Sequence, residues 1–163
     1  MNAIFLDIDG VLNDQNSIET MYNALGHKQF HMLANAIGET PFNYKSCERI
    51  KKLIDQTESV VVLSSTWRLS ERSMKTVEEH IGVELYGRTP NLGMSYARGK
   101  EIKSYLKRHP EITNYVILDD DTDMLEEQKR HFVNVDGKLG FSEEDFEKCV
   151  VILNEEVDCF NIN

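Results

Sequence analysis

Residues 1–12, MNAIFLDIDGVL, set an apolar run, Ala3 to Leu6, directly against two carboxylates, Asp7 and Asp9, and a glycine, Gly10. A short run that is apolar at every position and ends in acid reads as a strand buried on both faces, with its polar residues at the carboxyl end. Two further runs share this form: Ser59 to Leu63, ending in Ser-Ser-Thr, and Tyr115 to Leu118, ending in Asp-Asp-Asp. Weaker strand patterns occupy Val83 to Tyr86 and Phe132 to Val135. Helical spacing lies between them: Ile50, Leu53 and Ile54 after Ser46; Met74, Val77 and Ile81 after Ser70; Ile102, Tyr105 and Leu106 before Pro110. A last helix is expected from the capping-box pattern Ser142-Glu-Glu-Asp145 through Leu153. The alternation predicts an α/β chain with an open, doubly wound parallel sheet of about five strands, in which ligands bind outside the carboxyl ends of the strands. Asp14 to Tyr44 is too long for a plain connection and is expected to form a small helical insertion over the site.

The length of 163 residues predicts one domain over 1–163. Eighteen basic against 28 acidic residues give a net charge of −10, which tells against tight binding of a long duplex or an anionic membrane. The longest apolar stretches, Val60 to Leu63 and Cys149 to Leu153, are far short of a bilayer span, and the amino-terminal residues do not read as a secretory signal. Cys47, Cys149 and Cys159 are odd in number and lack metal-type spacing, so reduced thiols and a cytoplasmic location are expected.

Asp7 and Asp9, two positions apart at a strand end, are read as facing one side, with Gly10 letting the chain turn beside them and counted among the phosphate contacts. The alternative is an acidic loop exit. Asp119, Asp120, Asp121 and Asp123 crowd the end of the Tyr115 strand and need compensation. An all-oxygen donor set favours Mg²⁺ over zinc, whereas Asp121 and Asp123 also suit an exposed turn and a helix cap. Ser64, Ser65 and neighbouring amides can hold a phosphoryl oxygen, with Arg68 gripping the rest of the ligand; local turn bonding is the competing role for the hydroxyls. Arg98 and Lys100 flank Gly99 at a helix start, where an anion is favoured, although a solvated first turn has the same composition. His27 in the insertion is a further substrate contact to consider.

Together, DIDGVL, the strand-two hydroxyl, the basic helix start and the acidic fourth motif resemble the haloacid dehalogenase-like (HAD) hydrolases. VVLSSTWR, ARGKEIKSYL, HPEITNYVILDDDTDM and GFSEEDFEKCVVIL resemble the HAD phosphatase domain of multi-domain RNA-repair proteins, and the fourth motif also resembles that of polynucleotide kinase/3′-phosphatases. The resemblance implies that Asp7 is a nucleophile forming an aspartyl-phosphate, and that Asp9 is a general acid and base whose carbonyl also binds Mg²⁺. It further implies Asp120 as the metal's third protein ligand, with Asp119 behind it or in its place, and Ser64 on the phosphoryl group. Arg98 is placed ahead of Lys100 in the third motif. The expected activity is a Mg²⁺-dependent phosphomonoesterase acting on nucleotides or terminal phosphates of nucleic acid. A sugar-phosphate phosphatase and a catalytically silent phosphate- or metal-binding module are the alternatives.

Overall fold

The computed structural model describes residues 1–37, 41–93 and 97–155. Five parallel strands, β1 (Asn2–Leu6), β2 (Val60–Leu63), β3 (Gly87–Arg88), β4 (Asn114–Asp119) and β5 (Phe132–Asn134), form one sheet in the order β3-β2-β1-β4-β5. β1 therefore sits at the centre, with Leu6 paired to Leu63 on one side and to Leu118 on the other. The chain first builds outward through β2 and β3, then crosses to β4 and β5. The order reverses beside β1, and that is where a doubly wound sheet opens its ligand crevice.

Alternation along the strands explains why they are apolar throughout. Ile4, Leu6, Val61, Leu63, Val116 and Leu118 enter one core layer, while Ala3, Phe5, Val62 and Ile117 enter the opposite one. The first layer is closed by α2 (Tyr44–Thr57), α3 (Glu71–Ile81) and α5 (Glu143–Asn154), through Ile50, Leu53, Val77, Ile81, Phe146 and Cys149. The second is closed by α4 (Arg98–Leu106), where Phe5 meets Tyr105 edge-on at 5.8 Å. Each fully buried Leu or Ile contributes about 1.5–3 kcal/mol, so both layers are needed to hold the central strands.

The helix starts follow their caps. Ser70 accepts from the Ser73 amide, and Ser142 and Asp145 form the reciprocal capping box expected from sequence. α2 begins earlier than expected: Asn43 is the cap, and Ser46 lies buried inside the first turn. The strand expected at Val83 to Tyr86 is corrected to Gly87–Arg88. Val83 and Leu85 pack against the core from a connecting segment, so their alternation reports burial without a ladder.

Asp14 to Tyr44 contains α1 (Gln15–Ile37), which breaks at Gly26 (φ 74°). Asp14 caps it through the Ser17 amide at 2.9 Å and accepts from Asn43 Nδ2 at 2.6 Å, tying the start of this stretch to its end. Cys47 and Cys149 are buried free thiols, and burial pushes the Cys47 thiol up to about 12, so both serve packing; Cys159 lies outside the described residues. Among the described residues, no helix is long and apolar enough to cross a membrane.

Candidate active site

The parallel register of β1 and β4 brings their acidic ends together, and the Asp7 amide donates to Leu118 O at 2.9 Å. Asp7, Asp119 and Asp120 each offer a carboxylate oxygen within 4.8 Å of the others. Asp7 is 5 % and Asp119 1 % exposed, whereas Asp120 is exposed. Two glycines make room for Asp120. A Cβ at Gly10 would come within 2.3 Å of Asp120 Oδ2, and one at Gly137 within 2.6 Å. Gly10 also has φ 75°, a conformation that disfavours any side chain. Its amide donates to Asn13 Oδ1 at 3.1 Å, which braces the turn beside Asp9.

Arg98, at the start of α4, reaches between the strand ends: Nη1 lies 3.3 Å from Asp7 Oδ1 and Nε 3.7 Å from Asp119 Oδ2. Burial works against its charge, but Asp7 and Asp119 outweigh that and hold the guanidinium protonated. Lys100 is exposed on the same helix, which favours Arg98 for the third-motif position. Burial raises Asp7 to about 6, opposed by Arg98 and by a hydrogen bond from Ser65. Burial and the Asp7 charge raise Asp119 to about 8, and Asp119 Oδ2 is buried without a hydrogen-bond partner.

These shifts carry a sign. A carboxyl that keeps its proton in the folded chain beyond the ordinary carboxylate range favours folding most at acid pH and loses that advantage as pH rises. For metal-free protein, the stability of wild type relative to Asp119→Asn should therefore fall from about pH 4 to about pH 8. Urea unfolding in chelator at pH 5 and pH 8 checks it; a relative gain toward pH 8 contradicts the assignment.

Asp9 stands apart from the carboxylate triplet. Its side chain is exposed at the cleft lip and accepts from Asn13 Nδ2 at 2.8 Å and Trp67 Nε1 at 3.1 Å. Trp67 also packs edge-on against Phe42 at 5.1 Å, so it combines packing with a contact at the site. Of the two adjacent hydroxyls expected at this strand end, Ser65 is the one beside Asp7. Past the end of β2 the chain turns at Ser65, whose side chain lies beside Asp7 and opposes the rise of its carboxyl, while Ser64 Oγ is enclosed without a partner.

Arg68 also departs from expectation. Its Nη1 donates to the Ser64 and Ser65 carbonyls at 2.8 and 2.7 Å, and Nη2 to Glu101 Oε2 at 2.7 Å, with both side chains 6 % exposed. Glu101 Oε1 accepts from the Leu92 amide at 3.0 Å. The pair thus joins the Ser65 junction to α4, the helix that carries Arg98. His27 is exposed on α1 with its ring against Tyr22 and His31, and is not among the residues lining the cleft. Asp121 and Asp123 are exposed, and Asp123 caps α4 through the Arg98 amide at 2.7 Å. Asn13 and Glu101 were not singled out by sequence, although an acid beside Ile102 on the apolar face of α4 was a signal for a buried partner.

The cleft has a volume of about 710 Å³ and is lined by Asp9, Gly10, Gln15, Asp120, Asp136 and Lys138, among others. An all-parallel sheet whose neighbouring strands β1 and β4 end in converging carboxylates, with a half-buried arginine between them, defines a HAD-like hydrolase. The chain belongs to the family described as the HAD domain in Swiss Army Knife RNA repair proteins, whose model matches residues 3–146. Comparison with curated proteins and with solved structures gives no match.

Proposed function

We propose that the chain is a Mg²⁺-dependent phosphomonoesterase that works through an aspartyl-phosphate on Asp7 and acts on nucleotides or terminal phosphates of nucleic acid. The observation that carries this reading is the meeting of Asp7, Asp119 and Asp120, with a buried Asp119 oxygen that accepts no hydrogen bond and Arg98 alongside. Those three carboxylates fit a hard divalent cation, and the Asp9 carbonyl is proposed as a further ligand. When bound, Mg²⁺ supplies charge neutralisation between an anionic nucleophile and an anionic phosphate.

The protein's own groups do the rest. An Asp7 carboxylate oxygen attacks phosphorus as the ester bond breaks, and Asp9 gives its proton to the departing alkoxide. Asp9 then takes a proton from water, which attacks the aspartyl-phosphate, releasing phosphate and restoring Asp7. Trp67 and Asn13 hold the Asp9 carboxylate in place, and its exposure lets it exchange protons. Ser65 and Arg98 are fixed donors for phosphoryl oxygens, and losing one such donor costs about 10² to 10³ in rate. Ser65→Ala should show a kcat loss of that order, and Ser64→Ala a much smaller one; equal losses would contradict the placement of Ser65. The α1 segment is proposed as a small cap, on a single domain, that leaves the site open to a bulky substrate end.

A phosphate-release screen over mononucleotides, 3′- and 5′-phosphorylated oligonucleotides and sugar phosphates, with Mg²⁺ and with chelator, tests the reading. Mg²⁺-dependent release from nucleotides or oligonucleotide ends supports it. Preference for sugar phosphates overturns the substrate assignment, and no Mg²⁺-dependent release overturns the activity.

A further inference from the structure

The basic residues of this acidic chain are not spread evenly at the carboxyl edge of the sheet. Another pocket of about 380 Å³ lies beside the Ser65 junction and is lined by Arg68, Arg88, Arg108, Thr89 and Asn91, together with Leu69 and Pro90. None of its described lining residues is acidic. The cleft itself has the opposite character, with Asp9, Glu19, Asp120 and Asp136 against Lys138. Two buried polar atoms in the arginine-lined pocket's walls have no hydrogen-bond partner: Arg68 Nε and Thr89 Oγ1, on residues 5 % and 2 % exposed. Arg88 is tethered by the Arg68 carbonyl at 2.9 Å and paired with the exposed Glu71, and Arg108 Nε donates to Ser104 O at 3.2 Å. The exposed guanidinium groups of Arg88 and Arg108, with Thr89 and Asn91 beside them and the Glu101-paired Arg68 behind in the wall, match a tetrahedral oxyanion.

We propose that this pocket binds a phosphate group, and that the group is the phosphodiester next to the terminal phosphate of a short oligonucleotide held in the cleft. Arg68 is common to both places: the guanidinium that walls the pocket also holds the carbonyls of Ser64 and Ser65, the junction that presents Ser65 to Asp7. The acidic lip of the cleft has little to offer a second phosphate, and the arginine pocket supplies what it lacks. Leu69, 62 % exposed, gives a sugar or base an apolar surface beside the charge. One such pocket suits a short end and agrees with the net charge of −10, which disfavours a long tract. Naming the occupant as part of a substrate rests on the phosphatase reading; the oxyanion site does not.

The test has two arms on the full chain. In the first, inorganic phosphate is titrated while the backbone amide signals of Thr89 and Asn91 are followed by NMR in wild type, Arg108→Gln and Arg88→Gln. Saturable shifts in wild type, weakened about tenfold by Arg108→Gln, are expected. No shift at these amides, or equal affinity in both variants and wild type, overturns the site whatever the enzyme turns over. In the second arm, KM is measured for a phosphorylated trinucleotide and for a mononucleotide. Their ratio should rise about tenfold in Arg108→Gln. An unchanged ratio alongside intact phosphate shifts overturns the oligonucleotide assignment in favour of free phosphate. Absence of turnover in wild type counts against the phosphatase reading alone, because the NMR arm still decides the pocket.

Discussion

Asp7→Asn should cut Mg²⁺-dependent phosphate release by at least about 10⁴-fold, the scale on which loss of a covalent nucleophile is felt. The substitution nearly preserves shape and keeps an oxygen for Arg98 and Ser65 to contact, so folding should survive. What disappears is the anionic oxygen that attacks phosphorus. Asp7 stands just past the central strand, where Arg98, Ser65, Asp119 and Asp120 come together. Steady-state release from an aryl phosphate checks the prediction. Activity within tenfold of wild type would remove Asp7 from the chemistry.

The second large effect concerns stability. Arg68→Met should destabilise the fold by about 3–5 kcal/mol, because it leaves the Glu101 carboxylate buried without its partner. It also frees the Ser64 and Ser65 carbonyls from their donor. The double substitution Arg68→Met/Glu101→Leu removes both charges and should recover most of the loss, since apolar replacement of a buried pair is often neutral. Urea unfolding of the two variants and wild type measures this directly. A single variant as stable as wild type would mean that the pair contributes nothing to holding β2's exit against α4.

The contrast between Asp7 and Arg68 shows what a single chain reveals about its site. The strand ends were legible because continuous apolar runs followed by acids or hydroxyls admit few structural readings: β1, β2 and β4 lie where the runs lie, and their order brings Asp7 to Asp119 and Asp120. Side-chain direction past a strand end was not legible. Ser64 and Ser65 are adjacent and chemically alike, and only the turn at Ser65 decides which one meets Asp7. Arg68 reads as a ligand contact until its partner 33 positions away is known, because an arginine at a loop has the same composition whether it faces solvent or a buried glutamate. β3 was missed by a few residues for a related reason: Tyr86 bonds Val61 through its amide, yet the paired residues are Gly87 and Arg88, which carry no apolar signal. The donation from Trp67 to Asp9 was not legible either, since that contact spans 58 positions.

The proposed phosphoryl transfer to Asp7 requires one divalent cation held between the carboxylates at the ends of β1 and β4. The most direct measurement of that site is a magnesium titration at pH 8, reading the thermal midpoint of wild type and of Asp120→Asn. Ligand bound only by the folded state raises the midpoint by mass action, so wild type should show a saturable rise, and Asp120→Asn should need far more magnesium for the same rise. Superimposable curves for the two proteins, or a wild type indifferent to magnesium, would contradict the shared site.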